Sequence, residues 1–187
     1  IPAFNEVWNR WVGNGRAVRT FIPTARPGFA IADATIEINV VAACAAARAV
    51  PVPSPPFTPY AHDPVAVRAG DLLLLSGLMA IDDAGLVSAA IPDPRQPWFT
   101  SPIEAQMEHV LAAAHAICAA AGTSLDRVVR IQQFHTSLAD FLPACRVWQR
   151  FIPGVPLPIS AIEVPGALPV PGASVQLDLW VHAPAGA

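Results

Sequence analysis

The chain contains an internal repeat at a spacing of 140 residues, and this repeat limits the folds that it can adopt. Residues 7–22 share apolar and aromatic character with the residues 140 positions later, and a one-residue deletion in the following turn places 36–39 opposite 175–178. The clearest matches are Val7 with Val147, Trp8 with Trp148, Trp11 with Phe151, Val12 with Ile152 and Ile22 with Ile162. Self-similarity of this length indicates a duplicated domain of about 130–140 residues rather than a short solenoid repeat.

The 187 residues therefore divide unequally between two units. Residues 1–45 match the last third of a first unit, residues 46–57 form a linker, and residues 58–187 form a complete but degenerate unit. The stretch 51–59 holds five prolines, which forbid a helix and suit an extended connection. Because a third of a unit cannot bury its own hydrophobic face, we expect the rest of the first unit as an upstream segment or a separate chain.

The partial unit carries two charges in otherwise apolar strand patterns. After a helix over residues 2–12, the pattern predicts strands at 17–24 and 34–42, with Arg19 in the first and Glu37 in the second. Burying an isolated charge costs several kcal/mol, so each of these groups must be paired with an opposite charge, be hydrated by water, or belong to a functional site. Two interpretations follow: Arg19 and Glu37 form a ligand site, or Arg19 makes a structural bridge to Glu37 or Asp33.

The complete unit alternates strand and helix patterns, which predicts an α+β fold. Ser101-Pro102-Ile103-Glu104 has the form of a capping box, and Asp140 stands at the N-cap of a second helix. The predicted elements are a buried strand at 72–76, a hairpin turn at 82–85, a helix to about 121, a strand at 128–136, a helix at about 140–152, and a closing strand pair at 158–165 and 174–182.

Composition excludes several classes of protein. The chain is 53% hydrophobic and 13% charged, which is typical of a globular protein with a substantial core. The net charge is −3, lysine is absent, and the eleven arginines are scattered, which disfavours a nucleic-acid surface. No apolar run reaches the length of a transmembrane helix. The three cysteines form no CxxC pair, so we expect reduced thiols and a cytoplasmic location.

Histidine and cysteine spacings do not indicate a metal, a cofactor or a nucleophile. His109 and His115 are six residues apart on one helix and point to different faces, and the HExxH spacing is absent. His135 is interpreted as a satisfied histidine, with a role in a cleft as the alternative. Cys145 has no histidine close in sequence and is interpreted as a packing residue. We therefore expect neither a metal nor a cofactor.

The order of elements and several motifs resemble the Rid family, also called the YjgF/YER057c/UK114 family, of reactive-imine deaminases. The likeness covers nearly the whole chain outside the linker. The motifs that carry it are Pro59-Tyr60, Ser76-Gly77, the AGTSLDRVV segment at 121–129 and Leu168-Pro169 in the complete unit, and Asn5-Glu6-Val7-Trp8, Arg19-Thr20 and the DATIEI segment at 33–38 in the partial unit.

The resemblance implies a fold similar to that of trimeric chorismate mutase. In this fold a mixed sheet carries two helices on one face, and units assemble as a trimer or pseudo-trimer around a central barrel, with sites in the clefts between units. The resemblance also implies an arginine that binds the carboxylate of an imine or enamine acid and a glutamate that activates water. Arg19 and Glu37 match those two positions, and Asn5 matches a further position near the cleft.

The complete unit departs from the family pattern at its own closing strands. Ile159 replaces the arginine, Gln176 the glutamate, Cys145 the asparagine, and Leu78 the glutamine that usually follows Ser-Gly. The resemblance therefore implies a site shared between the units, with Arg19 and Glu37 as catalytic residues and the complete unit lending its cleft face. The substrate-binding residues expected there are Asn5, Tyr60, Ser76 and Gly77.

The expected function is hydrolysis of a small enamine or imine carboxylic acid, aminomuconate-like or a 2-imino acid, or of a related amide. The alternative is a non-catalytic subunit of the same fold that binds a small carboxylate or acts as a scaffold. Ribonuclease activity is ascribed to some relatives of the family, but the net negative charge of this chain disfavours it.

Overall fold

The structure is a computed structural model that describes residues 2–12, 17–25, 33–44, 50–52, 63–91, 93, 95, 96, 98 and 101–184. The expected contact residue Tyr60 lies outside these ranges. The helices are α1 (Pro2–Trp11), α2 (Pro102–Ala120) and α3 (Phe141–Phe151), and the strands are β1 (Val50–Pro51), β2 (Ala66–Ala69), β3 (Leu72–Leu75), β4 (Ile81–Asp82), β5 (Gly85–Leu86), β6 (Val128–His135), β7 (Ile159–Glu163) and β8 (Val175–His182). These elements confirm the predicted α+β class.

Six strands form one mixed sheet in the order β1-β2-β3-β8-β6-β7, and β4 and β5 form a separate hairpin. Strand β6 pairs in parallel with β7 and antiparallel with β8. The prediction that 158–165 and 174–182 pair with each other is therefore wrong, although both segments are strands. β6 lies between them: the crossover through α3 places β7 in parallel on one edge of β6, and β8 pairs with the other edge.

Helices α2 and α3 and alternate residues of the sheet form one hydrophobic core. On β8 the odd-numbered residues are fully buried in this core, whereas Asp178 and Trp180 belong to the opposite face of the sheet and are only half-buried. Trp148 of α3 is fully buried in this core. The face of the sheet opposite the helices carries Arg130, Gln132, Asp178 and Trp180 and lies towards the N-terminal segments.

The two helix N-termini are placed as predicted, but neither cap makes the predicted side-chain bond. Ser101 and Asp140 precede α2 and α3, and their side chains cap no backbone N–H. Glu104 lies 3.6 Å from both Arg146 and Arg150 instead, so its carboxylate ties α2 to α3 rather than completing a capping box.

The stretch expected to link the units contributes an edge strand. Val50 and Pro51 pair antiparallel with Arg68 and Val67 of β2. Proline is acceptable at this position because an edge strand needs its backbone donors on one side only.

The prediction of strands at 17–24 and 34–42 is wrong for the structure as described. Helix α1 is confirmed, but residues 17–25 and 34–44 belong to no strand. The repeat supplies the physical reason, because the counterparts of these two segments, β7 and β8, do not bond to each other and both bond to β6. No β6 counterpart stands between the two N-terminal segments among the described residues, so each lacks the neighbour that would make it a strand.

Within the described ranges, no helix combines the length and apolar character that crossing a membrane requires.

Candidate functional site

A cavity of about 1130 Å³ lies between the face of the sheet opposite the helices and the two N-terminal segments. Residues 18–24 and 35–41 line one side of it. The sheet contributes the other side through residues of β3, β6 and β8, namely Leu74, Leu75, Arg130, Gln132, Phe134, Asp178 and Trp180. The cavity therefore lies between the N-terminal segments and the sheet.

Arg19 is held on the wall of this cavity by two side chains. Its Nε donates to Oδ2 of Asp63 at 2.6 Å, and its Nη1 donates to Oδ1 of Asn5 at 2.9 Å. The guanidinium also lies 5.1 Å from the ring centre of Trp8 and 5.0 Å from that of Phe21. Only 6% of the Arg19 side chain is exposed, so the cation is nearly desolvated and its orientation is tightly defined.

Glu37 lines the same cavity but does not contact Arg19 through any described hydrogen bond or ion pair. It is exposed, and one of its carboxylate oxygens accepts a hydrogen bond of 3.1 Å from Nδ2 of Asn39. The structural bridge considered for Arg19 does exist, but its partner is Asp63 rather than Glu37 or Asp33. Sequence reasoning missed Asp63 because it lies 44 residues from Arg19 and no local pattern connects them.

Ser76 and Gly77 stand at the end of β3, beside the Arg19 segment. The N–H of Gly77 donates to the backbone oxygen of Arg19 at 2.9 Å, which joins the N-terminal segment to the end of β3. The hydroxyl of Ser76 donates to the carbonyl of Pro64 at 2.7 Å and is buried. The structure therefore brings Arg19, Asn5 and Gly77 together, whereas the Ser76 side chain is engaged by the backbone.

A second charged pair, which sequence reasoning missed, lies on the sheet side of the cavity. Nη1 of Arg130 is 3.0 Å from Oδ1 of Asp178, and the Arg130 guanidinium lies 4.5 Å from the ring centre of Trp180. The hydroxyl of Thr20 donates to the other oxygen of Asp178 at 3.3 Å, and Gln132 accepts a bond from Arg130. Alternating polar residues along β6 and β8 are the signal that could have revealed this cluster.

Burial is the main influence on the pKa of the Asp178 carboxyl. Desolvation raises the pKa of its carboxyl, and the positive charge of Arg130 and the hydrogen bonds from Thr20 and Arg130 oppose that rise without cancelling it. The carboxyl therefore holds a proton more readily than an exposed aspartate would.

His135 and the cysteines take no part in this cavity. His135 is fully buried, its Nε2 is 3.1 Å from Oε1 of Gln133, and burial lowers its pKa. Burial raises the pKa of the Cys118 thiol to about 12, and it also raises the pKa of Cys145. Across the described residues, no group of three or more His, Cys, Asp and Glu side chains is arranged to hold a metal ion.

Comparisons with known proteins match the complete unit. The family model described as Endoribonuclease L-PSP matches residues 53–183. Protein DfrA of Myxococcus xanthus is 32% identical over 120 residues, which cover 64% of this chain and 82% of that protein. The RutC family protein y4sK of Sinorhizobium fredii is 35% identical over 121 residues, which cover 64% of this chain and 83% of that protein.

Solved structures agree with these sequence matches. The crystal structure of RidA from an Antarctic Psychrobacter is 26% identical, with a TM-score of 0.53 over 67% of this chain and 92% of that chain. The yeast protein YEO7 is 19% identical, with a TM-score of 0.58 over 72% of this chain and 98% of that chain, and this likeness concerns the fold alone.

Proposed function

Because the chain belongs to the Endoribonuclease L-PSP family, which is also named Rid or YjgF/YER057c/UK114, we propose that it hydrolyses a small enamine or imine carboxylic acid. The substrates proposed are aminomuconate-like acids, 2-imino acids, or a related amide. The observation that carries this proposal is the position of Arg19, a nearly desolvated guanidinium on the wall of a cavity between the N-terminal segments and the sheet.

Arg19 is proposed to bind the substrate carboxylate. A guanidinium has five N–H donors, and Asp63 and Asn5 engage the Nε and Nη1 positions. A substrate carboxylate that approaches from the cavity accepts hydrogen bonds from the guanidinium N–H groups that Asp63 and Asn5 leave unused. Alternatively, it displaces Asp63 and accepts the hydrogen bond from Nε. Because the surroundings are apolar and aromatic, a charge-assisted hydrogen bond to this group is stronger than one in water.

Glu37 is proposed to activate the attacking water. It accepts a proton as the water oxygen bonds to the imine carbon, and the imine nitrogen gains a proton to give a tetrahedral amino alcohol. Collapse of this intermediate breaks the C–N bond, so that a 2-imino acid and water give a 2-oxo acid and ammonia. The exposed position of Glu37 on the cavity wall keeps its carboxylate within reach of solvent water.

The proposed substrate-binding residues divide into two groups. Asn5 orients the guanidinium through its 2.9 Å hydrogen bond, and Gly77 fixes the Arg19 backbone. Ser76 is proposed to shape the cleft through its backbone, because its hydroxyl donates to Pro64. Tyr60 remains a predicted contact.

An assembly is part of the proposal. We propose a trimer or pseudo-trimer around a central barrel, as the family fold implies, and a cytoplasmic location in keeping with the free thiols of Cys44, Cys118 and Cys145. The molar mass in solution, measured by light scattering, tests the assembly.

The test of the activity is ammonia release from 2-imino acids that an amino-acid oxidase generates in situ. Arg19→Lys keeps a positive charge beside Asp63 but loses the forked donor geometry, and Glu37→Gln removes the base. Each change is expected to lower kcat/KM by at least about 100-fold. Arg95→Ala and Glu6→Gln serve as matched controls because both residues are exposed and lie outside the cavity lining. Wild-type rates in both Arg19→Lys and Glu37→Gln, with the fold intact by circular dichroism, contradict the proposal.

The Arg19–Asp63 ion pair favours a second candidate, a non-catalytic unit that binds a small carboxylate or acts as a scaffold. In this candidate Asp63 satisfies the guanidinium permanently and no turnover occurs. Absence of ammonia release, together with Arg19-dependent binding of 2-oxobutyrate as a probe, supports it over the enzyme.

Ribonuclease activity, which the family description names, is the least supported candidate. The chain has 11 Lys and Arg residues, all arginine, against 14 Asp and Glu. RNA binding that weakens with salt is the result that would favour it.

A further inference from the structure

The cavity has a second cation on the wall that faces Arg19. Arg130 of β6 lies on the sheet side of the cavity, whereas Arg19 lies on the side formed by the N-terminal segments. The Arg130 side chain is 33% exposed, compared with 6% for Arg19, so it is the more accessible of the two guanidinium groups. The reaction proposed above uses Arg19 and Glu37 and leaves Arg130 without a role. A guanidinium that faces a cavity is suited to bind a carboxylate.

The Arg130 guanidinium is fixed in orientation and still has hydrogen-bond donors to offer. Its carbon atom lies 4.5 Å from the ring centre of Trp180, Nη1 lies 3.0 Å from Oδ1 of Asp178, and Nη2 donates to Gln132. A guanidinium has five N–H groups, and these two bonds use one hydrogen of each Nη atom. The remaining N–H groups are left to a ligand, and binding it costs little ordering because the side chain is already held in place.

The size of the cavity favours a ligand that reaches both walls. Its volume of about 1130 Å³ is above the roughly 300–1,000 Å³ that is typical of pockets for a drug-sized ligand. A short 2-imino acid held only at Arg19 would leave most of this space to water. The two walls are also connected, because Thr20, next to Arg19 in the chain, donates to Oδ2 of Asp178 at 3.3 Å, and Asp178 pairs with Arg130.

We propose that Arg130 is a specificity-determining residue that binds a second carboxylate, so that the substrates are dicarboxylic 2-imino acids rather than monocarboxylic ones. Arg19 binds the carboxylate next to the imine carbon, and Arg130 binds the carboxylate at the far end of the carbon chain. This inference rests on the binding role proposed for Arg19, but it does not require Glu37 to act as a base.

Asp178 limits how tightly the second carboxylate binds. Its own carboxylate already pairs with Arg130 and repels another anion at the same guanidinium. Burial raises the pKa of Asp178 in spite of Arg130 and Thr20, so its negative charge is held less firmly than that of an exposed aspartate. Removing the Asp178 charge should therefore strengthen the binding of a second carboxylate, whereas removing the Arg130 charge should abolish it. A purely structural ion pair would not give these opposite effects.

The test compares two product analogues of equal chain length, 2-oxoadipate with two carboxylates and 2-oxohexanoate with one. Their dissociation constants for the native chain are measured by isothermal titration calorimetry. 2-Oxoadipate is expected to bind at least about tenfold more tightly, which corresponds to one charge-assisted hydrogen bond. This preference is expected to disappear in Arg130→Gln and to increase by at least about fivefold in Asp178→Asn. Arg95→Gln is the control and keeps the native preference, because Arg95 pairs with an aspartate at an exposed site outside the cavity lining.

Arg130→Gln leaves a half-buried Asp178 without its partner, so the charge-neutral double variant Arg130→Gln/Asp178→Asn is measured beside it, with the fold checked by circular dichroism. The proposal is overturned if the native chain shows no preference for 2-oxoadipate, or if the folded double variant keeps the native preference. It is equally overturned if the preference in Asp178→Asn does not exceed the native one.

The outcome also separates this inference from the proposed function. Ammonia release from 2-iminobutyrate, without a preference for 2-oxoadipate over 2-oxohexanoate, refutes the second carboxylate site alone. A preference that depends on Arg130, without ammonia release from any 2-imino acid, refutes the deaminase alone. Absence of binding of both acids overturns the binding role of Arg19 and this inference together.

Discussion

Nε of Arg19 lies 2.6 Å from Oδ2 of Asp63, and the two side chains are 6% and 10% exposed. This ion pair connects the N-terminal segment to the residues that lead into β2. A guanidinium and a carboxylate so far removed from water depend on each other, because either one alone is an uncompensated charge. The pair is therefore both a candidate binding element and a structural link between the N-terminal segment and the chain that leads into β2.

Asp63→Asn is expected to destabilise the protein by about 3 kcal/mol, because it leaves the buried Arg19 cation without its carboxylate. The measurement is the free energy of unfolding in urea. Asp93→Asn is the control, since Asp93 also pairs with an arginine, Arg95, but at an exposed site where solvent screens the charges. Equal stabilities for the two variants would show that the Arg19–Asp63 pair is not desolvated in solution.

Gly77→Ala is expected to destabilise the protein by about 1–3 kcal/mol through overpacking. A Cβ at this position would overlap Nε2 of Gln176 and would lie 3.1 Å from Cγ2 of Thr20, and Gln176 is 1% exposed and has little room to move. Gln176→Ala should relieve the clash, so a double-mutant cycle is expected to show a favourable coupling between the two changes. Additive effects in the cycle would mean that the clash with Gln176 is not the cause.

Ile38 and Leu177 occupy equivalent repeat positions but are expected to differ in their contribution to stability. Leu177→Ala removes a fully buried side chain and should cost about 2–5 kcal/mol. Ile38→Ala changes a side chain that is 55% exposed and should cost less than about 0.5 kcal/mol. Both are measured by urea unfolding of the 187-residue chain. A large loss for Ile38→Ala would show that residues 34–42 are already buried in solution.

His135 is expected to make the protein sensitive to mild acid. Burial lowers its pKa below the ordinary value of 6.5 in the folded state, and the nearby Asp140 opposes this only in part. The unfolded chain therefore binds a proton first as the pH falls, so stability present at neutral pH is lost on passing below about 6.5 towards the folded pKa. The free energy of unfolding of the wild type should fall more steeply between about pH 7 and pH 5 than that of His135→Gln. Parallel profiles for the two proteins would contradict this assignment.

Local patterns predicted α2, α3, β3, β6, β7 and β8 with limits to within a few residues, but they did not predict β2. α2 and α3 follow from apolar periodicity and from Pro102 and Asp140 at their starts, and β3, β6, β7 and β8 follow from short apolar runs. Local patterns could not predict which strands pair with each other. The insertion of β6 between β7 and β8 and the pairing of Val50–Pro51 with β2 depend on contacts between distant parts of the chain.

In the candidate site, too, the sequence identified individual residues but not the contacts between them. The motifs identified Arg19, Glu37, Asn5 and Gly77 as positions of interest, and the structure brings three of them together through hydrogen bonds. Asp63 and the Arg130–Asp178 pair were missed, because each of these contacts joins residues more than 40 positions apart.

The amino-acid sequence by itself indicated a repeat and determined the α+β class and the presence of two charges in the N-terminal segments, because periodicity and repeat spacing are properties of consecutive residues. Only the tertiary structure decided that Arg19 pairs with Asp63, that Glu37 stands apart, and that residues 17–24 and 34–42 are not strands. Hydrogen bonds between strands and ion pairs between units depend on which segments meet in space, and a strand forms only where a neighbour is present to accept and donate its backbone bonds.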